Sequence, residues 1–395
     1  MIEIVLYTLL GLLLGIILGL IPGIHPNMIA LLLPFIAAFN IAPANLVAFA
    51  ISLAVSNTFL DFIPSMLLGA PEAGKELTAL PAHRLLLQGN GYDAVKLAVI
   101  GGLGSVIFLI AAMPLIIIGL PALYGLLKPF TYALLIFITL VIIFSEEKFK
   151  GKTLAVFCFL AAGFVGILSD GLNADSTLLL FPILSGLFGV STLVLSKNTK
   201  ISVHGKKKEI FLTTRQRNRA VAFGSIGGIF SGMLPGVGAS EIATMASADK
   251  NEKSFIMTVG AVTIANTIMA MLTIWLISKP RSGIAVFVDQ LVAVGWNDFL
   301  LMVAVSVFVA GLSAVITLRL AKRFVNKIEG TNYGMMNKLV IGLIVAMTII
   351  FTGAYGVLLL VTCTALGIFT NLAGVRRSVL MGVLILPTII FYLPI

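Results

Sequence analysis

Apolar runs that stay apolar from end to end, rather than at alternating positions, set the pattern of this chain. Bounded by charges or by Gly and Pro clusters, the first seven occupy 3–21, 28–39, 44–69, 94–120, 129–145, 153–168 and 176–197, here segments A to G. A polar stretch over 197–219 carries eight Lys or Arg and separates them from seven more. These lie at 220–233, 241–248, 254–278, 297–318, 338–353, 355–370 and 378–394, segments A′ to G′. A helix needs about 20 apolar residues to cross the hydrocarbon core of a bilayer, and most of the runs approach or exceed that. Segments B and B′ fall well short and are expected to be re-entrant or broken helices. Continuous apolarity also excludes a porin-like barrel, whose strands alternate. The pattern predicts an all-α polytopic membrane protein.

The two sets of runs repeat one another at their most unusual positions. Gly11, Gly15, Gly19, Pro22 and Gly23 fall on Gly224, Gly228, Gly232, Pro235 and Gly236 at an offset of 213. In C and C′, Asn57-Thr58 falls on Asn266-Thr267, and Pro71 and Gly74 fall on Pro280 and Gly283, at an offset of 209. Gly166-Ile167 falls on Gly367-Ile368, and Pro182 on Pro387. Gly-to-Gly matches come cheaply in an apolar chain, but this shared order does not. The expected organisation is a membrane repeat over 1–197, a basic cytoplasmic linker over 198–219 and a second membrane repeat over 220–395.

Composition narrows the class further. Of the 395 residues, 59% are hydrophobic and 11% charged, against about 45–50% and 25% in soluble domains. The net charge of +10 is explained by cytoplasmic loops, which collect Lys and Arg, and no nucleic-acid partner is expected. With 197–219 inside, the loops 70–96, 146–152, 249–253, 319–338 and 370–377 also fall inside. Every Lys and Arg except Lys128, Lys279 and Arg281 is then cytoplasmic. Equivalent loops swap sides: 146–152 has three Lys, while its partner around Gly353-Ala354 has none. That opposite bias is what inverted-topology repeats require. Cys158 and Cys363 lie in apolar runs, outside any paired-cysteine pattern. The first 21 residues lack a basic n-region and a small-residue cleavage site, so they read as a retained membrane segment.

Chemistry concentrates at the breaks. Pro22-Gly23-Ile24-His25-Pro26-Asn27 and Pro235-Gly236-Val237-Gly238-Ala239-Ser240 each interrupt a helical run, because proline removes a donor and glycine admits conformations that end a helix. Asn27 and Ser240 are good N-caps for the short helices that follow. A helix start offers free N–H groups and partial positive charge, which suit an anion. Paired breaks in corresponding positions of two halves point to a substrate site near the bilayer midplane; a lone Pro-Gly break would more simply aid packing. Pro22, Gly23, Ile24, His25, Asn27, Pro235, Gly236, Val237, Gly238 and Ser240 are therefore candidate substrate-binding residues. Asn57, Thr58, Asn266 and Thr267 join them, although polar pairs in mid-span also serve as helix–helix hydrogen bonds. Intramembrane ionisable groups are functional candidates because burying them is costly. His25, Asp61 and Glu241 are accordingly the coupling candidates, with Na⁺ as a candidate ion; Glu241 also suits the first turn of a helix.

Gly69-Ala70-Pro71-Glu72-Ala73-Gly74-Lys75 fits GxxxxGK, but Glu76 stands where a Ser or Thr would hold Mg²⁺. It follows a membrane span rather than a strand, so it is no phosphate loop. No HExxH or GxSxG occurs. No enzyme activity and no cofactor are expected.

The sequence resembles the TctA family, the large membrane subunit of tripartite tricarboxylate transporters. The resemblance covers nearly the whole chain. It rests on the Gly-rich first helix ending in Pro22-Gly23 and on Gly69-Ala70-Pro71, followed by an amphipathic stretch over 80–94 holding Gln88-Gly89-Asn90-Gly91. It continues through Phe181-Pro182, Gly186-Leu187-Phe188-Gly189-Val190, Gly224-Ser225 and Pro235-Gly236-Val237-Gly238-Ala239-Ser240. The resemblance implies gradient-driven uptake of a small carboxylate across the cytoplasmic membrane, with a small membrane subunit and an extracytoplasmic binding protein as partners. Two other readings compete. Polyprenyl-phosphate translocases also carry Pro-Gly breaks in repeated re-entrant helices, and a non-transporting scaffold in contact with membrane lipid would need no such breaks. The charge pattern makes one direct prediction. A cysteine replacing Lys207 should resist an impermeant maleimide in intact cells and react once the membrane is opened.

Overall fold

A computed structural model describes residues 2–21, 41–67, 82, 85–86, 88–144, 146, 148–172, 176–195, 212–233, 242, 251–328 and 333–393. In chain order the helices are α1 (Ile2–Gly19), α2 (Pro43–Leu60), α3 (Phe62–Leu67), α4 (Gly91–Leu127), α5 (Thr131–Phe144), α6 (Phe149–Asp170), α7 (Ser176–Leu184) and α8 (Ser191–Leu195). Then come α9 (Thr214–Met233), α10 (Glu252–Ile277), α11 (Gly283–Leu291), α12 (Trp296–Ile328), α13 (Tyr333–Leu372) and α14 (Gly382–Tyr392). Among the described residues there is no strand, and eight helical stretches are long and apolar enough to cross a membrane. The chain is an all-helical, multi-pass membrane protein.

Two of these stretches exceed a single crossing. From Gly91 the helix continues through a 3₁₀ turn at Lys128–Phe130 to Phe144, 54 residues in all. At 1.5 Å per residue that is about 80 Å, against a hydrocarbon core of about 30 Å. Pro114 and Pro121 lie inside α4. The 40 residues of α13 are likewise two helices meeting at Gly353, whose φ of 59° and ψ of −147° suit a residue without Cβ. Segments E′ and F′ are thus joined by one glycine.

Glycine rows set the closest packing, and they do so identically in both halves. A Cβ on Gly11, Gly15 or Gly19 of α1 would fall 2.4–2.6 Å from the carbonyl oxygens of Phe49, Leu53 and Asn57 on α2. A Cβ on Gly224, Gly228 or Gly232 of α9 would fall 2.8, 2.7 and 3.3 Å from those of Thr258, Val262 and Asn266 on α10. Phe49, Leu53 and Asn57 become Thr258, Val262 and Asn266 at the 209 offset seen in the sequence. The Ser52 hydroxyl also donates to the Thr8 carbonyl at 2.6 Å, and the Asn45 amide to Glu3 at 3.1 Å. In each pair the contacts advance together along both helices, so α1 runs parallel to α2, and α9 to α10. The chain therefore leaves each pair at one end and re-enters it at the other, across residues 20–42 and 234–251. Segments B and B′ lie almost wholly outside the described residues.

Contacts also fix the relative direction of equivalent helices. Leu67, at the end of α3, lies against Gly91 at the start of α4, and Gly101 and Ala98 near that start meet Met257 and Gly260 early in α10. So the span formed by α2 and α3 ends on the side where α10 begins. On α6, Phe159 packs on Gly382, and Gly163 on Leu386, so α6 and α14 run side by side in one direction. Phe157 of α6 stacks edge-on against Phe369, near the end of α13, at 5.9 Å. The N–H of Arg376 donates to Glu146 at 2.8 Å, joining the loops 146–152 and 370–377 that the charge pattern placed on one side. The second half of α13 therefore runs opposite to α6.

The helices sort by packing into two groups: α1–α4 with α9–α12, and α5–α8 with α13 and α14. Each group draws on both halves of the sequence, and a continuous apolar core extends through both. Helix α9 starts six residues before segment A′. Thr213 and Gln216 bond each other's backbone N–H at 3.3 and 3.1 Å, a capping box that starts the helix inside the basic stretch.

Packing of this kind tolerates no added bulk. On Gly15 a Cβ would lie 1.9 Å from the Ser56 hydroxyl, whereas on Gly125 it would meet nothing within 4 Å. Gly15→Val should therefore lower stability in detergent by about 3 kcal/mol or abolish folding. Gly125→Ala should leave the melting temperature within a degree or two of the parent.

Candidate functional site

The polar residues singled out in C and C′ come together where α2 and α10 cross. The Thr58 and Thr267 hydroxyl oxygens are 3.2 Å apart. The two positions are equivalent at the 209 offset of the sequence. Each hydroxyl also donates to the carbonyl one turn back, Thr58 to Ala54 at 2.8 Å and Thr267 to Thr263 at 3.0 Å. A hydroxyl has one proton and two lone pairs.

Asn57 and Asn266 flank this contact but are held differently. Asn266, half-buried, accepts from the Ser231 hydroxyl of α9 at 3.2 Å. The position of α1 equivalent to Ser231 is Leu18. Asn57 is 0% exposed, and neither its amide nitrogen nor its amide oxygen has a hydrogen-bond partner among the described residues. A buried polar group left in this state costs about 1–3 kcal/mol.

Asp61 sits one turn beyond Asn57 and is also 0% exposed. Its N–H donates to the Asn57 carbonyl at 2.9 Å, and its carbonyl accepts from the Ser65 N–H at 3.0 Å. At 3.6 residues per turn, Asp61 lies about 40° from Asn57 and about 60° from Thr58, on the arc between them. Helix α2 ends at this point. Pro64, in α3, has no N–H to return to the Leu60 carbonyl. The equivalent of Pro64 in α10 is Thr273, and there the helix runs unbroken to Ile277. The equivalent of Asp61 is Ala270.

Pro22, Gly23, Ile24, His25, Asn27, Pro235, Gly236, Val237, Gly238, Ser240 and Glu241 lie outside the described residues. The helices that lead into them end at this site, since Gly19 and Gly232 pack against Asn57 and Asn266.

Two features escaped the sequence reading. Ser185–Val190 is a π-helix, a form frequent at functional sites. Arg377, counted above as a loop charge, is buried against it. Its guanidinium donates to the carbonyls of Leu187 and Phe188 and lies 3.5 Å from the Ser191 hydroxyl, with the Phe188 ring 5.5 Å away. The only hint in the sequence was Gly186 and Gly189 inside an apolar run. Gly186 lets the segment approach α13, for its Cβ would meet the Leu360 carbonyl at 2.7 Å.

The difference between the two asparagines is measurable. Asn57→Leu should raise thermal stability in sodium-free detergent, by up to about 2 kcal/mol, because it removes an unsatisfied buried amide. Asn266→Leu should lower stability by leaving Ser231 without this acceptor.

Comparison with known proteins agrees with this architecture. The family model described as tripartite tricarboxylate transporter TctA family matches residues 5–382. An uncharacterised protein of Methanocaldococcus jannaschii is 29% identical over 408 aligned positions, spanning 98% of this chain and 99% of its own length. No solved structure matches. With glycine rows, apolar helices and the family pattern in register over nearly its full length, the chain belongs to the TctA family, a family of membrane transporter subunits.

Proposed function

We propose that the protein is a secondary transporter carrying a small carboxylate anion across the cell membrane, driven by a Na⁺ or H⁺ gradient. The observation that carries this reading is the contact of Thr58 with Thr267 between two asparagines where α2 and α10 cross. Polar groups at membrane depth are costly and are kept where they bind or move something. The halves 1–197 and 220–395, joined by the basic linker, are read as inverted-topology repeats. The opposite directions of α2 and α10, and of α6 and the second half of α13, support that reading, as does the opposite charge bias of equivalent loops. Such repeats hold substrate where they meet, at discontinuous helices.

In this reading the motifs around Pro22-Gly23 and Pro235-Gly236 start three residues after the glycines that touch Asn57 and Asn266. The helix starts at Asn27 and Ser240 then present N–H groups to the carboxylate, with the two threonines and asparagines lining the same cavity. His25 and Glu241 remain candidates for coupling. Family membership supports a small membrane subunit and an extracytoplasmic binding protein as partners.

Proteoliposomes holding the protein, alone and with those partners, should accumulate a radiolabelled di- or tricarboxylate under an imposed Na⁺ or H⁺ gradient. Thr267→Val should reduce uptake about fivefold, the value of one buried hydrogen bond. Gly236→Val should abolish it with the protein still folded, by blocking the backbone's approach to the anion. Translocation of a polyprenyl phosphate without uptake of any carboxylate would overturn the reading.

A further inference from the structure

The charge pattern left three basic residues outside, Lys128, Lys279 and Arg281, and the fold brings them to one place. Gly101 packs on Met257 and Gly260 on Ala98, near the starts of α4 and α10, and Tyr124 of α4 meets Arg281 just beyond the end of α10. The two helices therefore run side by side in one direction. From Gly101 to Tyr124 is about 35 Å at 1.5 Å per residue, close to the hydrocarbon core of about 30 Å. The Tyr124–Arg281 contact thus lies one bilayer thickness from the side where α10 begins. Both tryptophans of the chain mark the same level. Trp275, near the end of α10, packs on Trp296 and Phe299 of α12 with ring centroids 5.2 and 4.8 Å away, and tryptophan collects at membrane–water interfaces.

Arg281 is held there by caps on either side of it. Ser278, in the left-handed conformation, ends α10 with its N–H donating to the Thr273 carbonyl. The Ser282 hydroxyl starts α11 by accepting from the Ala285 N–H at 3.1 Å. Between these caps the Arg281 guanidinium donates to the Tyr124 hydroxyl at 2.9 Å and lies over its ring, 5.3 Å from the centroid. Lys128 follows Tyr124 by one helical turn, its N–H donating to the Tyr124 carbonyl. Lys279 precedes Arg281 by two residues, and both lysines are exposed. Among the described residues no carboxylate pairs with any of the three cations. Arg281 also stands just before α11, where the helix dipole is positive and disfavours a cation. The result is a fixed local excess of positive charge around a half-buried guanidinium, which suits an anion.

The surroundings select the kind of anion. Around Tyr124 the outer face of α4 is apolar and exposed, at Leu115, Ile118, Leu126 and Phe130. A Cβ on Gly119 or Gly125 would meet nothing within 4 Å, so the face is open. An anion at headgroup level whose remainder covers such a face is a phospholipid, and the planar fork of arginine matches its phosphate. We propose that Arg281, held on Tyr124, binds the phosphate of an anionic phospholipid, with Lys128 and Lys279 adding charge and the acyl chains lying along α4. The site is separate from the α2–α10 crossing, because Thr267 lies about 15 Å back along α10 from Ile277. It does not depend on the transport reading.

The two tryptophans supply the readout, since both lie at this level and the chain has no others. The full-length protein is reconstituted in phosphatidylcholine bilayers containing increasing fractions of phosphatidylglycerol with brominated acyl chains. Quenching of tryptophan fluorescence is compared with that by brominated phosphatidylcholine. The parent should favour phosphatidylglycerol about fivefold, the worth of one basic residue at a membrane surface. Arg281→Gln should lose the preference. Arg281→Lys, which keeps the charge without the fork, should retain part of it, and Tyr124→Phe, which keeps the ring and removes only the hydroxyl, should weaken it. Equal quenching by the two lipids in the folded parent overturns the proposal, as does an undiminished preference in folded Arg281→Gln or, should that variant not fold, in Tyr124→Phe. A melting temperature that inorganic phosphate or citrate raises in the parent but not in Arg281→Gln, with no preference between the lipids, also overturns it, by assigning the cations to a soluble anion.

Discussion

Inside a bilayer there is no water to satisfy a polar group, so each one must find its partner within the chain. That constraint explains most of what the helices do here. Most of the buried Ser and Thr hydroxyls bond the carbonyl one turn back, as at Ser56, Thr139, Ser191, Ser306 and Thr370. Arg377 answers the carbonyls that the π-helix loosens. Against that background Ser313, Thr317 and Thr348 keep hydroxyls without a partner among the described residues, and Asn57 keeps both its amide nitrogen and its amide oxygen so. It lies one turn before a buried acid, Asp61.

The same solvent removes the usual driving force for helix association, leaving van der Waals contact as the main source of cohesion. Small residues then matter more than large ones. The parallel pairs α1–α2 and α9–α10 are held at backbone contact by glycines spaced four apart, with the same partners at equivalent positions. Duplicated packing and unduplicated chemistry therefore coexist in one pair of helices. The backbone contacts are shared by both halves, while Leu18 against Ser231, Asp61 against Ala270 and Pro64 against Thr273 make the halves chemically distinct.

Much of this was legible in the sequence. The apolar runs located the long helices, with ends as much as ten residues off at α12, because length and apolarity decide which segments can lie in lipid. The repeat was read from Gly11, Gly15 and Gly19 because glycine rows have few other uses in such helices, and Asn57-Thr58 stood out as polar in mid-span. What could not be read depended on partners far apart in the chain. Nothing local distinguishes Arg377 in its loop from Arg376 beside it, yet one is buried and the other offers its backbone N–H to Glu146. The helix α11 was missed because nine residues with mixed polarity make no membrane span. The early start of α9 was missed because its first turn is basic, and its capping box at Thr213 and Gln216 outweighs that.

The glycine at the centre of α13 bears on how the chain enters the membrane at all. The residues around it, Thr352-Gly353-Ala354-Tyr355, carry no charge, and the two helices they join follow without a break. Moving a lysine or arginine to mid-membrane costs about 2.5–3.5 kcal/mol on insertion scales. Two helices joined by an uncharged connection avoid that cost. The corresponding turn of the first half, with Lys148, Lys150 and Lys152, would have to stay behind. The two equivalent connections thus differ in what it costs to bring them into lipid, three lysines against none.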